Sequence, residues 1–373
     1  MYLVRLKTEG FRNLGSAEIR PARINFVIGN NGAGKTSLLE AIYLLNRGRS
    51  FRTSQLDICI RLGEDRCHVF GEFRDGKRQS RVGMERYRQK DTQWRMDGRT
   101  PGSVAELAQL VPLMLITPET LSLVSGTPQL RRQFMDAGMF HVEHHVWSVW
   151  RRWRLALQNR NSLLKSGRID SRQLSAWTDV LVETSEALTT SRSAFVKQLD
   201  NALKEDESLT ESLGQIELNY QSGWPRELSY RMALEQCLER DLDQGYTSVG
   251  PHKADLMIRV NGEYLGARRF LSRGQQKMVA VALELARLRV VRRVSGQSGI
   301  VLVDDVAAEL DYPNQKRLLG GLLDSGAQLF ITALTDMLPD TLKAGMNPDM
   351  GSDQWKMFHV EHGQLREPSN KID

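Results

Sequence analysis

The chain has 373 residues, 40% apolar and 26% charged, which is enough apolar material for two folding units and too much for a disordered chain. Its formal net charge of +6 favours a polyanionic partner, because Lys and Arg that neutralise phosphates gain from counterion release. No apolar run approaches the roughly 20 residues of a membrane span, the opening MYLVRLKTEG lacks the segments of a secretion signal, and three cysteines without a CxxC pair give neither a disulfide framework nor a zinc ribbon, so a cytosolic protein with buried, unreactive thiols is expected.

In chain order, short alternating strands are predicted at Tyr2 to Leu6 and Ala17 to Ile19, followed by the apolar run Ile24 to Ile28, which ends in a glycine-rich turn. Leu38 to Leu45 continues with a helical apolar rhythm, completing the βα unit of a nucleotide-binding fold. From Cys67 to Arg95 the pattern turns polar and strand-like, with turns at Asp75-Gly76 and Asp97-Gly98, and predicts an antiparallel sheet beside the nucleotide.

Pro128 opens a region, running to about Gln244, that is rich in Leu, Arg, Trp and Glu and poor in strand signals. Within it Val146, Trp150, Trp153, Leu157, Asn161 and Leu164 recur at steps of three or four and share one helix face. Strand patterns return in Asp255 to Val260 and Ile300 to Asp304, with a helix from Gly274 to about Val294 between them. The expected organisation is therefore α/β (α+β): a P-loop ATPase head formed by 1–127 and 245–373, with a helical domain spliced in at 128–244.

Gly29-Asn30-Asn31-Gly32-Ala33-Gly34-Lys35-Thr36, followed by Ser37, matches the P-loop pattern GxxxxGK[ST] between a strand and a helix. Such glycines let backbone N–H groups close around phosphates, the Lys35 ammonium reaches the β and γ phosphates, and the Thr36 hydroxyl ligates Mg²⁺. Gly299 to Asp305 is an apolar strand ending in two carboxylates, the form of a Walker B element. Asp304 there would hold Mg²⁺ and Asp305 would polarise the attacking water.

Leu271-Ser272-Arg273-Gly274-Gln275-Gln276-Lys277 opens a helix ahead of that strand. It resembles the ABC signature, in which a Ser and a helix N-terminus meet the γ phosphate bound on a second subunit; a plain N-cap at Ser272 is the alternative. Ser272, Gly274 and Gln275 are thus candidate nucleotide contacts, and Glu309-Leu310-Asp311 matches the D-loop. One P-loop and one signature per chain imply a homodimer that sandwiches two ATP molecules.

Several further stretches resemble the RecF family, and the likeness spans essentially the whole chain. Phe11-Arg12-Asn13-Leu14 looks like the family's opening turn, shared with SMC and Rad50 proteins, which implies that Arg12 lies near the nucleotide. Pro118-Glu119, Gly126, Pro128, Arg131-Arg132, Phe134 and Asp136 reproduce a RecF pattern, and Arg160 to Lys165 and Gly250 to Asp255 are also similar to RecF segments. The resemblance implies ATP and Mg²⁺ as cofactors and a weak, DNA-stimulated ATPase. It also implies binding to double-stranded, gapped or junction DNA and to single strands, action with RecR, RecO and RecA in recombinational repair and the SOS response, and a place on the nucleoid. The departures are the lack of a switch histidine, since the strand from Gln328 ends in Thr332-Ala333-Leu334, and Asp305 in place of the usual Glu, which predicts slow hydrolysis.

Six basic side chains without an acidic one, Arg151, Arg152, Arg154, Arg160, Lys165 and Arg168, form a candidate phosphate-facing strip, or else a solvated helix face. Trp150 and Trp153 are expected in the core. A transporter ATPase would carry a switch histidine and no such insert, and an SMC or Rad50 protein would separate P-loop and signature by long heptad arms, which are missing from this sequence. A clamp that binds ATP without turning it over is the non-enzymatic alternative.

The hexapeptide Met139 to His144 recurs as Met357 to His362. A His/Glu metal site is one reading. The other is that its codons can spell TGTTCCACGTGGAACA, a palindrome close to the bacterial partitioning site parS, so that the peptide is the translation of a DNA site.

Overall fold

The computed structural model describes residues 1–143, 145–166, 170–206, 213–264, 271–297, 299–334 and 354–367. The chain divides into two compact units, 1–121 with 296–373, and 122–295. Arg168 of the basic strip and His144 of the first hexapeptide lie outside the described residues.

The first unit holds two sheets. One is antiparallel in the order β2 (Ala17–Ile19), β1 (Tyr2–Glu9), β4 (Arg66–Asp75), β5 (Arg78–Tyr87), β6 (Gln93–Met96). The other runs β14 (Gln364–Arg366), β13 (Trp355–Glu361), β3 (Ile24–Ile28), β12 (Gln328–Ala333), β11 (Ile300–Val303), β7 (Leu113–Ile116), and is parallel except at β14. A central parallel strand is covered on both faces and so is largely apolar, and every residue of Ile24-Asn25-Phe26-Val27-Ile28 is buried. The one polar member, Asn25, donates to the carbonyls of Ala22 and Leu329, both at 2.9 Å.

Helix α1 (Lys35–Arg47) follows β3 through the glycine loop and packs against β4 and β12, so that one apolar cluster joins both sheets. It stops at Gly48, whose left-handed φ of 61° lets its N–H close on the Leu44 carbonyl. The sheets are also tied through Gln328, whose buried amide accepts from Leu3 N at 2.8 Å and donates to Leu3 O at 2.9 Å. Short α2 (Val104–Ala108) and α9 (Tyr312–Asp324) complete this unit, with α3 to α8 placed below.

The second unit contains α3 (Pro128–Val142), α4 (Val146–Lys165), the 34-residue α5 (Ser171–Lys204), α6 (Tyr230–Gln236), α7 (Leu238–Gln244) and α8 (Arg273–Ser295). It also holds an antiparallel sheet β8 (Ile216–Gln221), β9 (Asp255–Val260), β10 (Glu263–Tyr264). On α4 the face named from the sequence points inward, with Val146, Trp153 and Leu164 buried and Trp150, Leu157 and Asn161 half-buried.

The compact units part at 121/122 and 295/296, whereas the sequence places the joints at 127/128 and 244/245. The difference has a packing cause: β9 pairs with β8 and packs on α3, and α8 packs on α3 and α5, so the stretch from 245 to 295 sits with the helices.

Candidate nucleotide-binding site

The glycine loop between β3 and α1 is shaped by contacts that leave no room for a side chain at two of its glycines. A Cβ on Gly34, at φ 124°, would lie 2.9 Å from Leu14, and one on Gly29 would lie 2.3 Å from the Val360 carbonyl. Lys35 is only 4% exposed and its Nζ donates to the Gly29 carbonyl at 2.9 Å and the Asn30 carbonyl at 3.4 Å, so the ammonium sits inside its own loop. Asp305 Oδ1 is 3.9 Å from that ammonium.

Parallel pairing of β11 with β12 and β7 brings the two carboxylates to the loop. Thr36 Oγ1 donates to Asp304 Oδ1 at 3.0 Å, so the two expected Mg²⁺ ligands are already adjacent. Burial pushes the Asp304 carboxyl above its ordinary value, the hydrogen bonds from Thr36 and Thr332 oppose this, and the charge of Asp305 adds to it.

In the sequence Thr332 marks only the place where a switch histidine is missing. Val303 pairs with Ile331, so the residue after each meets its counterpart, and the fully buried Thr332 hydroxyl lies 3.2 Å from both Asp304 Oδ1 and Asp305 Oδ1. The same oxygen accepts from Asp305 N at 2.7 Å. A lone Thr at the end of an apolar strand in register with the Asp-Asp strand was the signal available.

A cavity of about 930 Å³ opens over this loop, lined among others by Arg12, Asn13, Asn30, Asn31, Gly32, Gly34, Lys35, Thr36, Ser37, Arg52, Asp305 and His362. Asn13 bridges the opening turn to the loop, donating to Gly32 O at 2.7 Å and accepting from Ser37 Oγ at 2.8 Å. Arg12 is held by Glu40 of α1, a fully buried carboxylate that accepts from Arg12 Nε at 2.9 Å and Nη2 at 2.6 Å, and also from Ser50 and from Arg52 at 3.5 Å. Glu40 leaves no signal in the sequence, because a Glu inside an amphipathic helix reads as a solvated position.

The signature residues lie in the second unit. Ser272 is exposed and caps α8 reciprocally: its Oγ accepts from Gln275 N at 3.2 Å, and its N–H donates to Gln275 Oε1 at 2.9 Å. Accepting from the backbone leaves the Ser272 hydroxyl proton available to donate elsewhere, while Gln275 Oε1 is engaged in the cap. Gly274 lies in the first turn. In the D-loop, Asp311 caps α9 by accepting from Asn314 N at 3.1 Å.

The basic strip is revised. Arg160 is buried and pairs with Asp241 at 3.0 Å, so it faces the core and cannot face phosphate. Arg152 pairs with Glu183 at 3.2 Å, whereas Arg151 and Lys165 are exposed and Arg154 lies over the Trp150 ring at 5.4 Å. The thiols of Cys59 and Cys67 are buried, and burial pushes both up to about 12.

Residues 2–347 match the family described as RecF/RecN/SMC N terminal domain. A DNA replication and repair protein RecF from Hahella chejuensis is 38% identical, covering 99% of this chain and all of that protein, and one from Pseudomonas aeruginosa is 39% identical over 98% and 97%. The chain belongs to the RecF family. A solved structure described as the recombination mediator protein RecF-ATPrS in the RecFOR pathway superposes with a TM-score of 0.84 at 25% identity, covering 99% of this chain and 98% of the other. An Smc head domain from Pyrococcus furiosus shares the fold, with a TM-score of 0.56 at 14% identity over all of this chain and 96% of that one. The α/β ABC-type ATPase head expected from the sequence is therefore the observed architecture.

Of the segments that carried the RecF resemblance, those from Gly126 to Asp136, Arg160 to Lys165 and Gly250 to Asp255 lie in the second unit. Arg131 forks onto Asp255 at 2.7 and 2.8 Å, Arg132 donates to Ala254 O at 2.7 Å, and Asp136 holds the buried Arg192 through two bonds of 2.9 Å. Asn161 accepts from both the N–H and the hydroxyl of Thr247. These RecF positions thus clamp helices to the Gly250–Asp255 turn.

Proposed function

We propose that the chain is an ATP-dependent DNA-binding protein of recombinational repair and replication, which dimerises on DNA when it holds ATP and is released by slow hydrolysis. The observation that carries this is the convergence of Lys35, Thr36 and Asp305 on one cavity, with Asp304 buried behind it against the Thr36 hydroxyl and an exposed serine capping the signature helix in a different unit. The loop fits a triphosphate: Gly29 and Gly34 exclude side chains, its buried ammonium is in place, and Gly32 has open space above it. Backbone N–H groups of Asn30 to Thr36 and the N-terminus of α1 would bind phosphate oxygens, with Lys35 between the β and γ groups. Thr36 and Asp304 would hold Mg²⁺, which would neutralise charge developing on the phosphates. Asp305 would accept a hydrogen bond from the attacking water, positioned by Thr332. Arg12 would neutralise charge at the nucleotide's edge, and Ser272, Gly274 and Gln275 would complete the partner subunit's site.

By analogy with its RecF relatives, the partners are double-stranded, gapped or junction DNA and single strands, with RecR, RecO and RecA, in a cytoplasmic, nucleoid-associated protein that supports the SOS response. DNA binding would rest on backbone contacts, Arg151, Arg154 and Lys165 among them, and so would weaken steeply with salt. Sedimentation without nucleotide, with ADP, and with ATP and Mg²⁺, each with and without a gapped duplex, tests the reading. A dimer appearing only with ATP and binding DNA more tightly supports it; a constant mass with ATP-independent DNA binding overturns it.

A further inference from the structure

The repeated hexapeptide has no common conformation. Met139 to Val142 form the last turn of α3, whereas Met357 to Glu361 lie in β13 between β3 and β14. Burial also differs position by position. Met139 and His141 are buried with Phe140 and Val142 half-buried, but in the second copy Phe358 and Val360 are buried with Met357 and His359 half-buried. The two copies thus bury opposite members of the same string, one in a helix and one in a strand, so no single packing environment selects it twice.

The neighbours differ as well. Phe140 packs edge-on against Trp147, with ring centroids 5.1 Å apart, and Glu143 accepts from Ser191 Oγ at 2.8 Å. Glu361 instead pairs with Gln364 across a tight turn, and His362 there takes φ 49° at the edge of the nucleotide cavity. Side chains give no reason for the identity of the two copies.

The genetic code does. The Met codon ATG is the reverse complement of the His codon CAT, TTC for Phe is the reverse complement of GAA for Glu, and CAC for His is that of GTG for Val. Read inward from both ends, Met pairs with the last His, Phe with Glu, and the first His with Val. A single synonymous spelling, ATGTTCCACGTGGAACAT, then reads identically on both strands.

We propose that each hexapeptide is the translation of a twofold-symmetric protein-binding site in the coding DNA, and that its partner is a DNA-binding protein acting as a symmetric dimer. Palindromic sites mirror the symmetry of such dimers, each half presenting the same major-groove edges to one protomer. The protein tolerates the string because it suits two places in the fold: the C-terminal turn of α3, and a strand whose alternate Phe358 and Val360 fill the core.

The nucleotide sequence of the gene is the first test, with the palindromic spelling expected at both copies; any other synonymous spelling at either copy overturns the proposal. The second is footprinting of the gene in growing cells, before and after synonymous recoding of both copies with TTT for Phe and GTT for Val. Protection over both segments that disappears on recoding is expected, and lack of protection in the native spelling, or its persistence after recoding, overturns the proposal. The protein made from the recoded gene is identical, so no change in folding enters the comparison.

Discussion

Arg12, Asp305 and His362 take left-handed φ values of 56°, 49° and 49° and all line the nucleotide cavity, so conformations that cost about 1–3 kcal/mol each gather at one site. At Asp305 the conformation is held by Thr332, whose oxygen accepts from the Asp305 peptide N–H. Thr332→Val keeps the strand's shape and removes that acceptor. Loss of one buried partner costs about 1–3 kcal/mol, and if part of that falls on the geometry of the attacking water, kcat for ATP hydrolysis should drop about tenfold with nucleotide affinity nearly unchanged. Equal losses in affinity and kcat would assign Thr332 to binding. Glu40→Gln should do the reverse, because a neutral amide cannot hold the Arg12 guanidinium through two charge-assisted bonds; nucleotide affinity should weaken about tenfold in equilibrium titration while kcat changes little. The P-loop and the Asp-Asp pair were legible because their chemistry needs fixed residue types at fixed spacing. Thr332 and Glu40 were not, because their roles arise from strand register and from a helix face turned inward, neither of which leaves a local pattern.

The same contrast holds for the elements. Strand β3, helix α1 and the β4–β5 hairpin follow from apolar runs, glycine loops and an Asp-Gly turn, all local signals. Strand β8 escaped notice because a short strand within a long helical region pairs with β9 far along the chain, and that pairing draws the residues from 245 to 295 into the second unit. The Gly250–Asp255 turn is held there by Arg131, Arg132 and Arg192. Removing one partner of a buried pair strands the other charge, so Asp255→Asn should lower unfolding free energy by about 3–5 kcal/mol in urea titration, far more than Glu183→Gln at the exposed Arg152 pair, which is worth about 0–1 kcal/mol. The turn also carries an acid sensitivity. Burial pushes His252 from 6.5 down to about 4, assisted by Lys253 and Arg132 and opposed by its bond to Thr247 O and the charge of Asp241. Between those values the unfolded chain binds a proton that the folded chain does not, so stability rises with pH across this window. It should fall by up to about 3 kcal/mol as pH drops from 7 to 4, and His252→Gln should flatten that part of the profile.

For the molecule as a whole, the cavity around Lys35 is built from first-unit residues, whereas Ser272 caps a helix of the second unit. If each functional site joins the P-loop of one copy to the signature of another, the two halves can be inactivated on separate chains and recombined. Lys35→Ala removes the phosphate-binding ammonium but leaves a sound signature; Ser272→Arg fills the signature with bulk but leaves a sound P-loop. Each variant alone should lack ATP-induced dimerisation and hydrolysis. In an equal mixture the only dimers that can form contain one chain of each kind, and each of these has one intact site of two, so hydrolysis should return to as much as about half of the wild-type rate. Recovery depends on association, so it should rise with total protein concentration and with added gapped duplex. A mixture as inactive as its components, at concentrations where the wild type dimerises, would mean that each chain completes its own site, and the DNA-bound state would then need an explanation other than a nucleotide held between two copies.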